Sequence, residues 1–199
     1  MKKYWIGSGL IVLFALIGLI LAAFSRPYTF HGSVIQPSMS APDFSLTDTN
    51  GQSFQLSQHK GQLILLFFGY TNCPDECPAT LAVMKAVFSK LGSQTSRVRF
   101  VFVTVDPQRD NPAQIRTFLV KYNSSFIGLG GSQSKLTPVW KAFGVYQQLP
   151  VNSTVPQYQV SHSTQVYLID PQGHLRLTYD LSTPVDDIYQ DVQHILNGG

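Results

Sequence analysis

Three patterns in the sequence predict an α/β domain over residues 42–199, with a central mixed sheet flanked by helices. Residues 62–68 and 98–105 are two mainly apolar runs, typical of strands that are covered on both faces. Between them, apolar residues recur at helical spacing from residue 78 to residue 91, so the three segments form a βαβ unit with parallel strands. Two predicted hairpins add antiparallel strands.

The remaining elements follow from local signals. The dipeptide Asn50-Gly51 between two alternating segments predicts an N-terminal hairpin over residues 43–56. Asn111 followed by Pro112 predicts the start of a helix. Further predicted elements are a short strand at 126–129, a helix at 136–143, a second hairpin at 165–179 around Pro171-Gln172-Gly173, and a last helix that begins after Thr183-Pro184.

Composition excludes several classes of protein. Hydrophobic residues make up 44% of the 199 and charged residues 13%, which excludes intrinsic disorder. The net charge of +3 is accounted for by Lys2, Lys3 and Arg26. The rest of the chain is electrically balanced, so a nucleic-acid-binding protein is not expected.

The N-terminus predicts a membrane anchor. Residues 5–24 form an uncharged stretch of 20 residues, which as a helix spans about 30 Å, the thickness of one bilayer core. A cleaved signal peptide is the alternative. Lys2 and Lys3 place the tail, residues 1–4, in the cytoplasm. We therefore expect a single-pass protein of the inner (cell) membrane whose C-terminal domain is extracytoplasmic, on the periplasmic side. Residues 25–41 read as a flexible tether.

The chain has two cysteines, and they fall at a position suited to chemistry. Cys73 and Cys77 follow the first buried strand and precede its helix, at the sheet end where α/β proteins place their sites. Four residues apart, they share one face of a helical turn, and the helix N-terminus favours thiolates. A structural disulfide is the alternative, but it would close a very short loop and stabilise little. Metal binding or disulfide exchange is favoured.

Three segments resemble the successive signatures of the Sco/SenC family. They are Gly69-Tyr-Thr-Asn-Cys73-Pro-Asp-Glu-Cys77-Pro78, Val105-Asp-Pro-Gln-Arg-Asp110 and Tyr158-Gln-Val-Ser-His162-Ser-Thr-Gln-Val-Tyr-Leu168, in matching order over residues 42–199. The resemblance implies a thioredoxin-like fold with an added N-terminal hairpin. It also implies copper, as Cu(I) or Cu(II), bound by Cys73, Cys77 and His162. The family assists assembly of the dinuclear copper centre of cytochrome c oxidase subunit II, which makes that subunit, or a similar copper acceptor, the expected partner.

Two functions stay open at this point. The first is a copper metallochaperone. The second is an extracytoplasmic thiol-disulfide oxidoreductase in which Cys73 attacks a partner disulfide and Cys77 resolves the mixed species. A peroxidase of the peroxiredoxin type is a minor third. Soft thiolates with one imidazole favour Cu(I), and zinc would need a fourth ligand. Where the family usually has Asp-His, this chain has Ser161-His162, which predicts weaker copper binding.

Some residues carry weaker signals. Asp106-Pro107 and Arg109-Asp110 read first as turn and cap residues, while the resemblance places them beside the copper loop or a partner surface. Residues 149–160 are predicted to be a mobile loop that carries His162 toward the cysteines. The other four histidines are expected to be solvated rather than coordinating: His31, His59, His174 and His194.

Overall fold

The computed structural model describes residues 13–17, 28–148 and 158–199. The last two ranges contain ten strands: β1 (Ser33–Ser40), β2 (Ser45–Asp48), β3 (Ser53–Gln55), β4 (Leu63–Gly69), β5 (Val98–Thr104), β6 (Ile127–Gly130), β7 (Gln147–Gln148), β8 (Ser161–His162), β9 (Val166–Ile169) and β10 (His174–Tyr179). The same ranges contain four α-helices, α1 (Glu76–Leu91), α2 (Pro112–Val120), α3 (Gln133–Ala142) and α4 (Val185–Leu196), and two 3₁₀ helices, Leu56–His59 and Gly92–Arg97.

Eight of the strands form one mixed sheet in the order β1-β10-β9-β4-β5-β6-β2-β3. The pairs β4–β5 and β5–β6 are parallel, and the other neighbours are antiparallel. Strands β7 and β8 form a separate antiparallel pair. The predicted α/β fold with a mixed, thioredoxin-like sheet and an N-terminal hairpin, here β2–β3, is confirmed in these respects.

The centre of the sheet is buried on both faces. All seven residues of β4 are buried, and Phe67, Phe68, Phe100 and Phe102 of the two central strands are fully inaccessible. Burying such side chains contributes about 1.5–3 kcal/mol each to folding. The loop that follows β4 therefore starts from a fixed point in the core.

Local signals set the helix and hairpin ends as the sequence predicts. The Asn111 side chain accepts a hydrogen bond from the Gln114 N–H, and the Gln114 side chain accepts one from the Asn111 N–H, which forms a capping box. Gly51, with a φ of 81°, provides the left-handed residue of the β2–β3 turn. The predicted βαβ unit is β4–α1–β5.

Strand β1 departs from the prediction of a flexible tether over residues 25–41. Ser33–Ser40 pairs with β10, with Ser33 opposite Thr178 and Ser40 opposite His174, and the register shifts between Val34 and Met39. Seven of its eight residues are exposed, so it shows no alternation of apolar and polar positions. As an edge strand it also tolerates Pro37, which a central strand would not.

A buried carboxylate attaches the segment before β1 to α4. The Asp191 side chain, wholly inaccessible, accepts hydrogen bonds from the Tyr28 hydroxyl at 2.8 Å, the Tyr179 hydroxyl at 3.2 Å and the Gly32 N–H at 3.0 Å. It also contacts His31, whose Nδ1 lies 2.9 Å from Asp191 Oδ1 and whose N–H donates to the same carboxylate. We call these five residues the Asp191 cluster. His31 was expected to be solvated; it is exposed, and its ring also contacts Asp191.

The prediction of a transmembrane helix is corrected. No helix of the described residues has both the length and the apolar character needed to cross a bilayer. Within the predicted anchor, residues 13–17 are helical. Residues 5–12 and 18–24, and the predicted tail at residues 1–4, lie outside the described residues. The extracytoplasmic location stays a prediction.

Candidate metal centre

Both cysteines lie where the chain leaves β4 and enters α1. Cys77 is in the first turn of α1 and is fully buried, and Cys73, four residues earlier, is 8% exposed. The Cys77 N–H, at the N-terminus of α1, donates to the Cys73 Sγ at 3.4 Å. This hydrogen bond holds the Cys73 sulfur against the helical turn that carries Cys77. Gly69 makes room for them: a Cβ at that position would lie 3.0 Å from the Cys77 Sγ and 2.8 Å from the Phe67 ring.

His162 reaches the cysteines from a separate part of the chain. It lies in β8, opposite Gln147 of β7. Its Nδ1 is 2.8 Å from the Ser163 carbonyl oxygen, and since a carbonyl only accepts, Nδ1 carries the proton. The free Nε2 then faces the Cys77 Sγ at 3.7 Å. The Tyr70 ring packs against the imidazole edge-to-face, with 5.5 Å between ring centroids.

The donor atoms of Cys73, Cys77 and His162 all lie within 4.8 Å of one another. One ion with sulfur ligands at about 2.3 Å and a nitrogen ligand at about 2.0 Å in a flat three-coordinate arrangement needs about 4.0 Å between the sulfurs and about 3.7 Å between sulfur and nitrogen. The observed 3.7 Å between the Cys77 Sγ and the His162 Nε2 matches this spacing. The three side chains therefore fit a single soft metal ion without rearrangement of the fold.

The two sulfurs differ in their proton affinity. The side-chain hydrogen bond from Cys77 lowers the pKa of Cys73 to about 3, against burial, which raises it. That same hydrogen bond, together with burial and the charge on Cys73, raises the pKa of Cys77. In the metal-free protein the pair therefore holds one thiolate and one thiol, and binding a metal through both sulfurs releases one proton.

A cleft of about 630 Å³ opens onto the three side chains. Among the described residues, its lining includes Asp75 and Glu76 and no lysine or arginine. Either carboxylate could offer zinc a fourth ligand by its chemistry, but neither belongs to the three-donor group. Within residues 13–17, 28–148 and 158–199, that group is the one cluster of metal-ligating side chains close enough to share an ion.

The residues with weaker sequence signals lie in the turn after β5 and in the loop that leads to His162. Asp106 and Asp110 form the turn after β5, because the Asp106 carbonyl accepts from the N–H groups of Arg109 and Asp110. The Asp110 carboxylate also accepts from the Thr71 N–H and hydroxyl and so supports the turn before Cys73. Arg109 contacts Tyr158, on the chain that leads to His162. Residues 149–157 of the predicted mobile loop lie outside the described residues.

The other histidines take no part in the site. His59 stacks on Phe54, and His194 stacks on Tyr28. The His174 Nδ1 lies 3.6 Å from the Asp170 Oδ2. Single-residue signals in the sequence do not mark Tyr70 or Tyr158 as functional, although both stand inside the quoted motifs. Their aromatic type alone predicts burial and gives no sign of a role beside the metal site.

Ser161 replaces the carboxylate that the resemblance leads one to expect beside the histidine. It lies in β8 opposite Gln148 and is exposed. The Ser163 carbonyl, bonded to Nδ1, does what such a neighbour usually does for a ligand histidine: it fixes the tautomer and the ring orientation. The imidazole is thus oriented without an adjacent carboxylate.

This geometry defines a thioredoxin-like domain with a candidate soft-metal centre. A family model described as SCO1/SenC matches residues 33–197. A putative copper-binding protein of Stutzerimonas stutzeri is 38% identical over 157 residues, covering 78% of this chain and 76% of that protein. The chain belongs to the SCO1/SenC family.

Two solved structures are similar to the chain. ScoI of Bradyrhizobium japonicum, solved with copper bound, has a TM-score of 0.73 and 30% identity, covering 79% of this chain and 100% of that one. BsSco, described as a member of the Sco family of cytochrome c oxidase assembly proteins with a disulfide switch, has a TM-score of 0.66 and 29% identity, covering 82% and 96%.

Proposed function

We propose that this protein binds one copper ion through the Cys73 and Cys77 sulfurs and the His162 Nε2, and passes it to a copper site of cytochrome c oxidase during assembly. The observation that carries the proposal is the single group of two sulfurs and one imidazole within 4.8 Å. The copper-bound ScoI structure and the assembly role stated for BsSco support it.

The donor set favours copper over zinc. Thiolates are soft ligands that select Cu(I), and Cu(I) accepts three ligands readily, whereas structural zinc is almost always four-coordinate. The described residues bring three donors together. Copper here is cargo: it must be held tightly enough to be carried and be released to an acceptor.

The unequal exposure of the two sulfurs suggests how release would begin. Cys77 is fully buried, whereas Cys73 and His162 line the open cleft. An incoming thiolate or imidazole of the acceptor can reach an ion from that side and replace the cleft-facing ligands first. We propose the dinuclear copper centre of subunit II, or a similar centre, as the acceptor.

The state of the cysteines supports a second candidate function, the reduction of a partner disulfide. Neither cysteine is in a disulfide, and the pKa of Cys73, about 3, makes it the attacking thiolate. Its sulfur would bond to one partner sulfur and release the other as a thiolate. Cys77, after losing its proton, would then attack Cys73 and release the first partner sulfur. Two electrons pass to the partner, and a Cys73–Cys77 disulfide remains.

Titration of the reduced protein with Cu(I) against a competing chelator tests the proposal. We expect one copper per chain, and no tight binding in His162→Ala or Cys73→Ser. His59→Ala is the matched control, because that imidazole stacks on Phe54 away from the cleft, and it should bind as the parent does. Unchanged affinity in His162→Ala would contradict the three-ligand proposal.

The same variants separate the two candidate functions. His162→Ala keeps both sulfurs, so it should still reduce a model disulfide in a single turnover, whereas Cys73→Ser should not. A parent protein that reduces disulfides but binds no copper in the reduced state would favour the second candidate over the first.

A further inference from the structure

The position of His162 depends on a loop that makes its own contacts with the end of β5. The imidazole is 85 residues away from Cys77 along the chain, and β8, which carries it, has only two residues. A two-residue pair of strands is too short to hold a ligand by itself. Other contacts must fix this loop relative to the cysteines.

Three side chains supply such contacts. The Tyr158 hydroxyl donates to Asp106 Oδ1 at 2.8 Å, and Arg109 Nε donates to Asp106 Oδ2 at 2.5 Å. Arg109 Nη1 donates to the Tyr158 carbonyl at 2.8 Å, and its guanidinium lies 3.5 Å from the centroid of the Tyr158 ring. Tyr158 is therefore held through its hydroxyl, its ring face and its backbone.

The base of this arrangement is buried and hydrogen-bonded. The Asp106 side chain is fully inaccessible, and the Arg109 side chain is 15% exposed. The Asp106 N–H donates to the Thr104 hydroxyl at 2.9 Å, which ties the turn to the end of β5. Because the buried Asp106 carboxylate forms a charge-assisted hydrogen bond with the Arg109 guanidinium, the free-energy cost of burying it is offset.

From Tyr158 the chain leads to the metal site by short steps. The Val160 N–H donates to the Tyr70 hydroxyl at 3.3 Å, and the Tyr70 ring contacts the His162 imidazole. The Arg109 guanidinium lies 5.7 Å from the Tyr70 ring centroid as well, so it stands between the two tyrosines. On the other side of His162, the Ser163 N–H donates to the Tyr146 carbonyl at 3.2 Å.

We propose that Asp106, Arg109 and Tyr158, here called the loop clamp, are positioning residues that hold His162 at ligand distance from the two cysteines. The proposal rests on the proposed copper function. None of the three touches the donor atoms; they act through Tyr70 and the backbone of residues 158–162.

The test uses Tyr158→Phe and Arg109→Lys. The first keeps the ring over the guanidinium and removes only the bond to Asp106. The second keeps the charge but loses the planar fork that serves two acceptors at once. Tyr179→Phe is the matched control, because it removes another buried tyrosine hydroxyl that donates to a buried aspartate, Asp191.

Three measurements are made on each variant. The first, on metal-free protein, is amide hydrogen exchange of Val160 and Ser163, which should accelerate at least about tenfold in both loop-clamp variants. The second is the Cu(I) dissociation constant, which should rise about 10–100-fold, as is typical when support for a ligand is lost. Alkylation of Cys73 should be unchanged, and Tyr179→Phe should match the parent in all three.

Three outcomes of these measurements discriminate between the explanations. Parent-like exchange and affinity in both loop-clamp variants would overturn the proposal, and so would equal changes in Tyr179→Phe, because the effect would then be general destabilisation. A parent that binds no copper, with exchange still accelerated in the loop-clamp variants alone, would refute the proposed function and leave the loop clamp standing.

Discussion

The metal site and the Asp191 cluster are both buried polar groups, and they differ in how fully their atoms are bonded. The two Asp191 oxygens accept from five donors supplied by Tyr28, His31, Gly32 and Tyr179. In the metal site, the Cys77 Sγ and the His162 Nε2 face each other at 3.7 Å. A carboxylate surrounded by donors has no capacity left for a ligand, whereas two sulfurs and an imidazole facing one another do.

The two regions therefore have different roles: the Asp191 cluster stabilises the fold, and the metal site offers ligands. The Asp191 cluster joins residues 28–32 to β10 and to α4, where Asp191 is about 160 positions away along the chain, and it stabilises the edge of the fold. The metal site leaves soft donors exposed to a cleft. Substitutions in the first region should therefore reduce stability and spare copper, and substitutions in the second should do the reverse.

The largest expected effect is on copper binding in Cys77→Ser. A hydroxyl is a hard, protonated and weaker ligand for Cu(I) than a thiolate, so affinity should fall at least about 1,000-fold, or about 4 kcal/mol. The free energy of unfolding of the metal-free protein should change by about 1 kcal/mol or less, since the volume is nearly kept. Chelator competition and urea unfolding measure the two. A loss of stability as large as the loss of binding would break the comparison.

Asp191→Asn should give the opposite pattern. The amide replaces one acceptor with a donor that faces other donors, and several buried bonds to a charged group are lost, which should lower the free energy of unfolding by about 3 kcal/mol. Copper stoichiometry and affinity should stay at parent values in the folded protein. Calorimetry and Cu(I) titration test this, and a large drop in copper affinity would contradict the separation.

Gly69→Ala should lower both the free energy of unfolding and the copper affinity, because Gly69 contacts the core and the metal site. The added methyl would lie 2.8 Å from the Phe67 ring, 2.9 Å from the Phe102 ring and 3.0 Å from the Cys77 Sγ. Overpacking of this kind costs about 1–3 kcal/mol. We expect a lower melting temperature and weaker copper binding in the same variant. Gly131→Ala, where a Cβ would meet nothing closer than 3.7 Å, is the control.

The smallest expected effect is a pH dependence of stability from His31. Its hydrogen bond to Asp191 raises the pKa of His31 in the folded protein. Its stabilising contribution is therefore full below the unfolded pKa, near 6.5, and is lost as the pH rises through the higher folded pKa. Asp187, whose Oδ1 lies 3.9 Å from His31 Nε2, acts in the same direction.

Asp191 gives the complementary change at acid pH. Burial alone would raise its pKa, but hydrogen bonds from His31, Gly32 and Tyr28 lower it. Its contribution is present above the unfolded pKa and is lost as the pH falls through the folded value. Because His31 is partly exposed, we expect only a few tenths of a kcal/mol from its titration. Urea unfolding from pH 5 to pH 9 should show a decline that His31→Gln lacks; an identical decline in that variant would contradict the assignment.

The sequence predicts most of the framework that positions the site. The apolar run of β4, the spacing of α1, and the turn and cap residues Asn50-Gly51 and Asn111-Pro112 are local signals, and the elements form where these signals stand. The three candidate ligands could be selected because two are the only cysteines and the third stands in a recognisable motif. The structure brings their donor atoms together.

The parts that could not be predicted depend on contacts between distant residues. Strand β1 is exposed and has no periodic pattern, so only its pairing with β10 makes it a strand. In the sequence, Asp191 looks like an ordinary polar residue of a helix. Its role depends on residues 28–32, which pack against it only in the folded protein. The bonds of Tyr158 with Arg109 and with Asp106 join segments about 50 residues apart. The predicted membrane helix rested on hydropathy alone, and no helix of the described residues can span a bilayer.

X-ray absorption at the copper edge of the Cu(I)-loaded protein tests the central claim most directly. We expect two sulfur scatterers and one nitrogen scatterer, with the imidazole pattern absent in His162→Ala and retained in His59→Ala. A parent spectrum with two sulfurs and no imidazole, or one unchanged by His162→Ala, would contradict the account.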